Sequence, residues 1–375
     1  MIGKNDKNIL LISSEFPPNV GGIGNHAFNV AKYLSLNGFK VQVLADIIDI
    51  HNQTFSKFQS GLSFKLYPVF RQKMVVITYW QRIKKAIQLS QKSDVIICSG
   101  KFQLWLILLL KIVATNKKFL AIVHGSELDL KQVWAKKLTD KSLLKFDAII
   151  AVSHFTASLL SKAVKTKNNT TIIHNGINNN EFKNSNNQPL KGTPSIITIG
   201  SVTERKGQEN VIFALPNLLK KFPQLHYHIV GKPVIQSQLQ NLAKNLEVAD
   251  AVTFHGIVER LTLIDLLAAS NVKMMLSNYT ADGDFEGFGI GIIEANALAK
   301  PAIGSKLGGI PDAINDTVSG RLVDPKNVEE ITAALQDIMA NYSAYSTQAL
   351  QWAKQHDWAI LIHQYINVIY QTCNV

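Results

Sequence analysis

The chain has 375 residues, of which 46% are hydrophobic and 18% charged, and it carries a formal net charge of +12. That length exceeds one ordinary core and suits two domains of roughly 150–200 residues each. The two cysteines, Cys98 and Cys373, exclude a disulfide framework or a cysteine-built metal knot and point to a reducing cytoplasm.

The basic surplus implies attraction to anions, whether phosphorylated ligands, nucleic acid or acidic lipid headgroups. Its residues lie in short clusters such as Arg82-Ile-Lys84-Lys85 and Lys117-Lys118. No long basic arm interleaved with aromatics occurs, which disfavours nucleic acid and favours a peripheral contact with an anionic membrane. A surplus that serves only solubility is the alternative. The N-terminus runs directly into a short strand and does not read as a signal peptide. The most apolar segment, 102–114, is interrupted by Lys111 and falls far short of the ~20 residues that span a bilayer. It reads as a buried helix, in a protein that is soluble or at most peripherally bound.

In chain order, strands are expected at 9–13, 40–45, 95–98, 119–123, 148–152 and 171–173. Amphipathic segments at 24–37, 102–114, 129–145 and 155–164 lie between them. Near-continuous apolar strands separated by helices indicate a parallel sheet covered on both faces. Residues 178–194 contain six Asn, with Gln188, Pro189, Gly192 and Pro194, a linker composition. The alternation then restarts, with strands at 195–200, 225–231, 252–255 and 272–276 and helices at 207–222, 236–246 and 262–269. The fold class is therefore α/β, two domains joined by one linker with a cleft between them. Their bounds are 1–190 and 191–357, with a last helix, 358–375, folding back on the first. In such sheets ligands bind beyond the carboxyl ends of strands, which is where the informative loops fall.

The first of these loops, Glu15 to Gly24, ends in Gly21-Gly22-Ile-Gly24 before a helix. Glycines there let backbone N–H groups approach a phosphate at a helix N-terminus, and a tight strand-to-helix turn is the alternative. A dinucleotide fingerprint is the weaker reading, because its third glycine is missing and the loop carries two prolines. His124, before Gly125 at the end of a buried strand, either satisfies structure or faces a ligand, where it could hydrogen-bond a sugar hydroxyl. In the second half, Arg205 and Lys206 stand before a helix. Two cations there oppose the helix dipole, and a bound diphosphate would resolve the conflict. The most specific stretch runs from Asp282 through Glu286, Phe288 and Gly289 to Glu294 and Ala295. A helix starting near Gly289 puts Glu286 in the preceding loop and Glu294 in its second turn. Over the eight steps from one to the other a fully helical path would rise about 12 Å, at ~1.5 Å per residue. Glu294, flanked by Ile292, Ile293 and Ala295, is expected to be largely buried and to need partners, either ribose hydroxyls or an arginine or lysine. Asp282-Gly283-Asp284 resembles a metal-holding Asp-x-Asp but reads as a polar turn. His226 and His228 share a strand face without a third ligand nearby.

Taken together these residues resemble the retaining glycosyltransferases of family 4, which implies the GT-B fold, α/β with two Rossmann-like domains facing each other across a cleft. The matching pieces are Gly21-Gly22, His124-Gly125, Ala151-Val-Ser153, Asn175-Gly176, Arg205-Lys206-Gly207, Val230-Gly231, Phe254-His-Gly256 and Glu286-Gly-Phe-Gly through Glu294-Ala. Gly308-Gly309-Ile-Pro-Asp312 and Ser319-Gly320-Arg-Leu-Val323 follow. The resemblance implies that Lys206 binds the donor diphosphate, Glu294 the ribose, and Glu286, with the amides around Phe288 and Gly289, the transferred sugar. It places Gly21 and Gly22 at the phosphate from the other domain and His124 at the reaction centre. It also implies front-face transfer without a metal or other cofactor. GDP-mannose is the donor guessed, and a lipid-linked or cell-envelope glycan the acceptor. One departure stands out: Gly200 is followed by Ser201 where members carry an arginine, so either Arg205 reaches in or the cationic clamp is weaker. A GT-B-fold nucleotide-sugar 2-epimerase and a non-catalytic nucleotide-sugar-binding protein are the alternatives.

Overall fold

The computed structural model describes residues 7–18, 21–47, 52–70, 72, 74–183, 189–281 and 283–373. The chain divides into two compact units, Met1–His174 with Trp358–Val375, and Asn175–Asp357.

The first unit holds a seven-stranded sheet: β1 (Asn8–Ser13), β2 (Lys40–Ile47), β3 (Lys65–Phe70), β4 (Val95–Ser99), β5 (Lys118–Val123), β6 (Ala148–Ala151) and β7 (Thr170–Ile172). Their order is β3-β2-β1-β4-β5-β6-β7, and every pairing is parallel, with Leu10 opposite both Gln42 and Ile96. The unbroken apolar run of β1 follows from burial on both faces. Ile9 and Leu11 enter one core with Val30, Leu34, Trp358 and Tyr365, whereas Leu10 and Ile12 enter another with Leu104, Leu110 and Phe146. Helix Trp358–Cys373 supplies the first of these cores and packs on helix Gly22–Leu36, where Tyr365 Oη lies 2.8 Å from His26 Nε2.

Several elements differ from expectation. The apolar segment 102–114 forms two helices, Lys101–Trp105 and Ile107–Val113, and the segment 155–164 forms His154–Ser158 and Lys162–Thr166. Strand β3 and helices Asn52–Ser60 and Val75–Ser90 were not expected. β3 lies at the sheet edge and carries Pro68, which an edge strand tolerates and which masks the strand pattern.

The second unit holds six parallel strands: β8 (Ser195–Ile199), β9 (His226–Val230), β10 (Val252–Gly256), β11 (Val272–Met275), β12 (Ala302–Ser305) and β13 (Gly320–Val323). Their order is β10-β9-β8-β11-β12-β13. Helices Gln208–Lys221 and Val328–Ala340 share one core with Tyr227 and Met274, while helix Ile290–Ala297 enters a separate core with Met275 and Phe288. Strand order reverses between β1 and β4 in the first unit and between β8 and β11 in the second. Crevices outside strand ends at such reversals are where open α/β sheets bind ligands.

Candidate active site

At the β8–β11 reversal two loops are fastened together. The loop after β8 ends in a short 3-10 turn, Glu204–Lys206, followed by Gly207 at φ 67°. A Cβ on Gly207 would stand 1.8 Å from the Leu276 carbonyl oxygen, so only glycine lets this loop lie on the end of β11. Asn278 N donates to Arg205 O at 2.9 Å, and Asn210 Nδ2 donates to Leu276 O at 2.8 Å. The chain beyond β11 then reaches helix Ile290–Ala297, whose N-cap is Gly289 at φ 98°.

Glu286 sits in the loop before that helix and accepts from both cations on one oxygen. Arg205 Nη1 lies 2.5 Å and Lys206 Nζ 2.7 Å from its Oε2, and Arg205 Nε lies 2.9 Å from Asp284 Oδ2. Burial alone would raise the Glu286 pKa, but Lys206 and then Arg205 hold it below the usual carboxylate value. The backbone around Glu286 is clasped by a second loop, with Gly309 N donating to Glu286 O at 2.8 Å. A Cβ on Gly309 would come within 2.0 Å of the Gly287 carbonyl oxygen. Gly308-Gly309, matched in the sequence without a role, therefore holds this loop in place. The Phe288 ring is buried in the core, which leaves only its backbone for a ligand.

Glu294 lies in the second turn of the helix, and its partner is a cation: Arg260 Nη2 stands 2.8 Å from Glu294 Oε1 and 3.2 Å from Glu181 Oε2. Sequence reasoning missed Arg260, which begins helix Arg260–Ala269 far along the chain. It also missed Lys273 on β11, a lysine with 0% exposure inside a strand whose other residues are apolar. Ser201 is exposed, and its backbone oxygen accepts from Gln208 Nε2 at 3.2 Å. Of the Asp-x-Asp candidate, Asp282 lies outside the described residues and Asp284 binds Arg205. His226 and His228 do share a face, with rings 4.8 Å apart. They are taken up by Thr253, the Lys191 carbonyl and His255 at 2.8–3.0 Å.

The remaining predicted residues belong to the first unit. Helix Gly22–Leu36 starts after the β1 loop, of which Asn19 and Val20 lie outside the described residues. Gly22 is exposed there, and a Cβ on it would meet nothing, whereas one on Gly21 would strike the Glu15 carboxylate. His124 follows β5, with Nε2 3.0 Å from Ser99 Oγ and its ring edge-on to His26. Burial pushes its pKa down to about 4, so the ring is neutral at physiological pH. A cavity of about 490 Å³ lies in the second unit beside Glu204, Phe213 and Tyr279. One of about 350 Å³ in the first is lined by Ser14, Glu15, Asp46, Thr78, Tyr79 and Arg82. Arg82 Nε donates to Asp46 Oδ1 at 2.8 Å, and its guanidinium is flanked by the Tyr79 and Phe102 rings.

The family described as Glycosyl transferases group 1 matches residues 179–355, and Glycosyltransferase Family 4 matches residues 20–181. A Mycolicibacterium smegmatis protein named GDP-mannose-dependent alpha-(1-6)-phosphatidylinositol monomannoside mannosyltransferase is 27% identical over 242 residues. That match spans 61% of this chain and 62% of the relative's own length. An uncharacterised glycosyltransferase of Methanocaldococcus jannaschii is 25% identical over 366 residues, 89% of each chain. Among solved structures, a glycosyltransferase from Rickettsia africae superposes with a TM-score of 0.79 at 20% identity, covering 98% of this chain and 99% of that one. Anabaena HepE in complex with UDP gives 0.78 at 19% identity, covering 97% and 100%. The two parallel-sheet units have the GT-B fold, and the chain belongs to the group 1 glycosyltransferases of the family 4 type.

Proposed function

We propose that the chain transfers a sugar, with retention of anomeric configuration, from a nucleotide-diphosphate donor held by the second unit to a lipid-linked or cell-envelope glycan. The observation that carries this reading is the convergence of Arg205 and Lys206 on Glu286 at the strand-order reversal. The two cations rest on a carboxylate. A diphosphate competes for them and frees Glu286 to accept hydroxyl protons from the transferred sugar, while Glu294 exchanges Arg260 for ribose hydroxyls. The missing arginine at Ser201 is then made good by Arg205, already aimed at the same oxygen as Lys206.

In the reaction the bond from the anomeric carbon to the phosphate oxygen breaks while the acceptor oxygen bonds to the same face. The acceptor proton passes to the departing phosphate oxygen, whose charge Lys206 and Arg205 stabilise. Two fixed cations take the role a metal would have, and activity undiminished by a chelator is the outcome that fits. His124, neutral, serves to hydrogen-bond a hydroxyl at the reaction centre, and Gly21 and Gly22 offer backbone amides to phosphate.

GDP-mannose is the donor we favour, because relatives named for it match 60–61% of this chain at 26–27% identity. An acceptor at a membrane is supported by helix Val75–Ser90. Its N-terminal turns expose Met74, Val75, Val76, Ile77 and Trp80, with Lys84 Nζ 5.1 Å from the Trp80 ring centroid. Val75, Thr78 and Tyr79 of that segment also line the cavity holding Asp46 and Arg82, so an apolar face adjoins a polar pocket. No helix among the described residues is long and apolar enough to cross a membrane. Cys98 and Cys373 are free thiols, in keeping with work on the cytoplasmic side.

The test is incubation with GDP-mannose, UDP-glucose and a lipid-linked saccharide extract, with product mass and anomeric configuration read by mass spectrometry and NMR. An α-linked product from an α-linked donor is expected. An inverted linkage, or 2-epimerised nucleotide sugar without transfer, would overturn the reading.

A further inference from the structure

Beneath the two glutamates lies a charged side chain that the mechanism above does not use. Lys273 is fully buried on β11, and its Nζ has no hydrogen-bond partner. An ammonium brings three donors, and leaving all of them unmet away from water is costly. The neighbouring strand residues Val272, Met274 and Met275 are all apolar, so packing alone called for another apolar side chain here.

The amine is instead aimed at the site. A Cβ built on Gly291, in the first turn of helix Ile290–Ala297, would stand 4.0 Å from Lys273 Nζ and 3.9 Å from Glu294 Oε2. Amine and carboxylate thus share the space over Gly291. Four charged groups act on this point from the surrounding elements. Glu294 on the helix and Glu286 in the loop before it favour the ammonium, whereas Lys206 on the β8 loop opposes it. Arg260, from helix Arg260–Ala269, reduces the pull of Glu294 by pairing with it. Burial and this balance bring the Lys273 pKa down from 10.5 to about 7.

Donor binding, on the reading above, shifts the balance of these surrounding charges in one direction. Two phosphate charges arrive, Lys206 turns from Glu286 toward them, and Glu286 is left with less compensation. Each change favours a positive charge behind the clamp. We infer that Lys273 is a positioning residue of the donor site whose amine takes up a solvent proton when the nucleotide sugar binds. The charged form then holds Glu286 and Glu294 in their ligand-bound orientation. This rests on the donor-site reading, and the experiment separates the two.

Calorimetric titration of the full chain with GDP-mannose and UDP-glucose, in buffers of different ionisation enthalpy, reads protons taken up per donor bound. These ligands are phosphodiesters with no phosphate titrating near neutrality. The expected uptake is about half a proton or more at about pH 8 and close to none at about pH 6, where the amine is already charged. Lys273→Met, which keeps a straight apolar chain, should bind donor without that uptake and with at least a roughly threefold weaker Kd. Binding with no uptake in the wild-type chain, or with the same uptake in Lys273→Met, would overturn the inference and leave the donor site standing. No binding of either donor to folded wild-type chain would overturn both. Absence of uptake in the wild-type chain decides against the inference whatever the variant does, and Lys273→Leu repeats the comparison if Lys273→Met does not fold.

Discussion

The chemistry proposed for this chain rests on a few charged side chains whose burial sets their worth. Lys206 and Glu294 make contacts proposed for the donor itself, and charge-assisted hydrogen bonds of this kind contribute about 1.5–3 kcal/mol. Lys206→Ala and Glu294→Ala are each expected to lower kcat/KM by roughly 10- to 100-fold or more on that basis. Their unfolding midpoints should stay near the wild-type value, and steady-state assays beside thermal melts check both. Lys273 behaves in the opposite sense. Its folded-state pKa, about 7, lies below the ordinary 10.5, so between those values the unfolded chain binds more protons. Stability from this group is therefore complete above about pH 10.5 and lost as pH falls toward 7. Lys273→Met should be more stable than wild type at pH 7 by about 1–4 kcal/mol, the gain shrinking as pH rises, as denaturant melts across that range would read. At this scale the sequence was legible where residues are close along the chain. Glu286, Gly289 and Glu294 could be placed on loop and helix from spacing alone. Arg260 and Lys273 could not, because their roles come from the sheet order that brings β11 and the helix after β10 to the same point.

At the level of elements, close backbone approach fixes the site more than any single bond does. Gly309 meets the Gly287 carbonyl, and a methyl group at that position must push the Glu286 loop away. Gly309→Ala is expected to destabilise the fold by about 2 kcal/mol or more and to weaken donor binding as well, since strain at such sites is not relieved locally. Melting and titration of one sample would read both effects. The helix Val75–Ser90 offers a separate test. Burying one large apolar side chain is worth about 1.5–3 kcal/mol, so Trp80→Ser should weaken binding to anionic lipid vesicles by roughly tenfold or more, with no change in the melting point. Strands buried on both faces announced themselves as apolar runs. Three strands did not: β3 carries a proline at a sheet edge, and β12 and β13 are four residues long, with a glycine in each. Helices broken within one apolar segment, as at Leu106, leave no mark on its pattern.

For the molecule as a whole, one grammar is repeated, a parallel sheet reversing its strand order, and each reversal leaves a crevice of the kind where open α/β sheets bind ligands. That repetition was visible in the sequence because each reversal is followed by glycine-marked loops, and the resemblance to family 4 supplied the pairing of the two halves. The surplus of +12 charges fits a chain whose ligands are phosphorylated, and vesicle binding should weaken as salt rises. The central claim is that the second unit holds a nucleotide sugar through Lys206, Glu286 and Glu294. It is tested most directly by thermal melts of wild type, Lys206→Ala and Glu294→Ala with saturating GDP-, UDP- and ADP-sugars. Binding to the folded state alone must raise the midpoint, and a donor at about 100 times its Kd adds about 2.7 kcal/mol. The account predicts a clear upward shift for wild type with at least one donor, lost in both variants. A folded wild-type chain that shifts with none of them, or variants that shift as much as wild type, would contradict it.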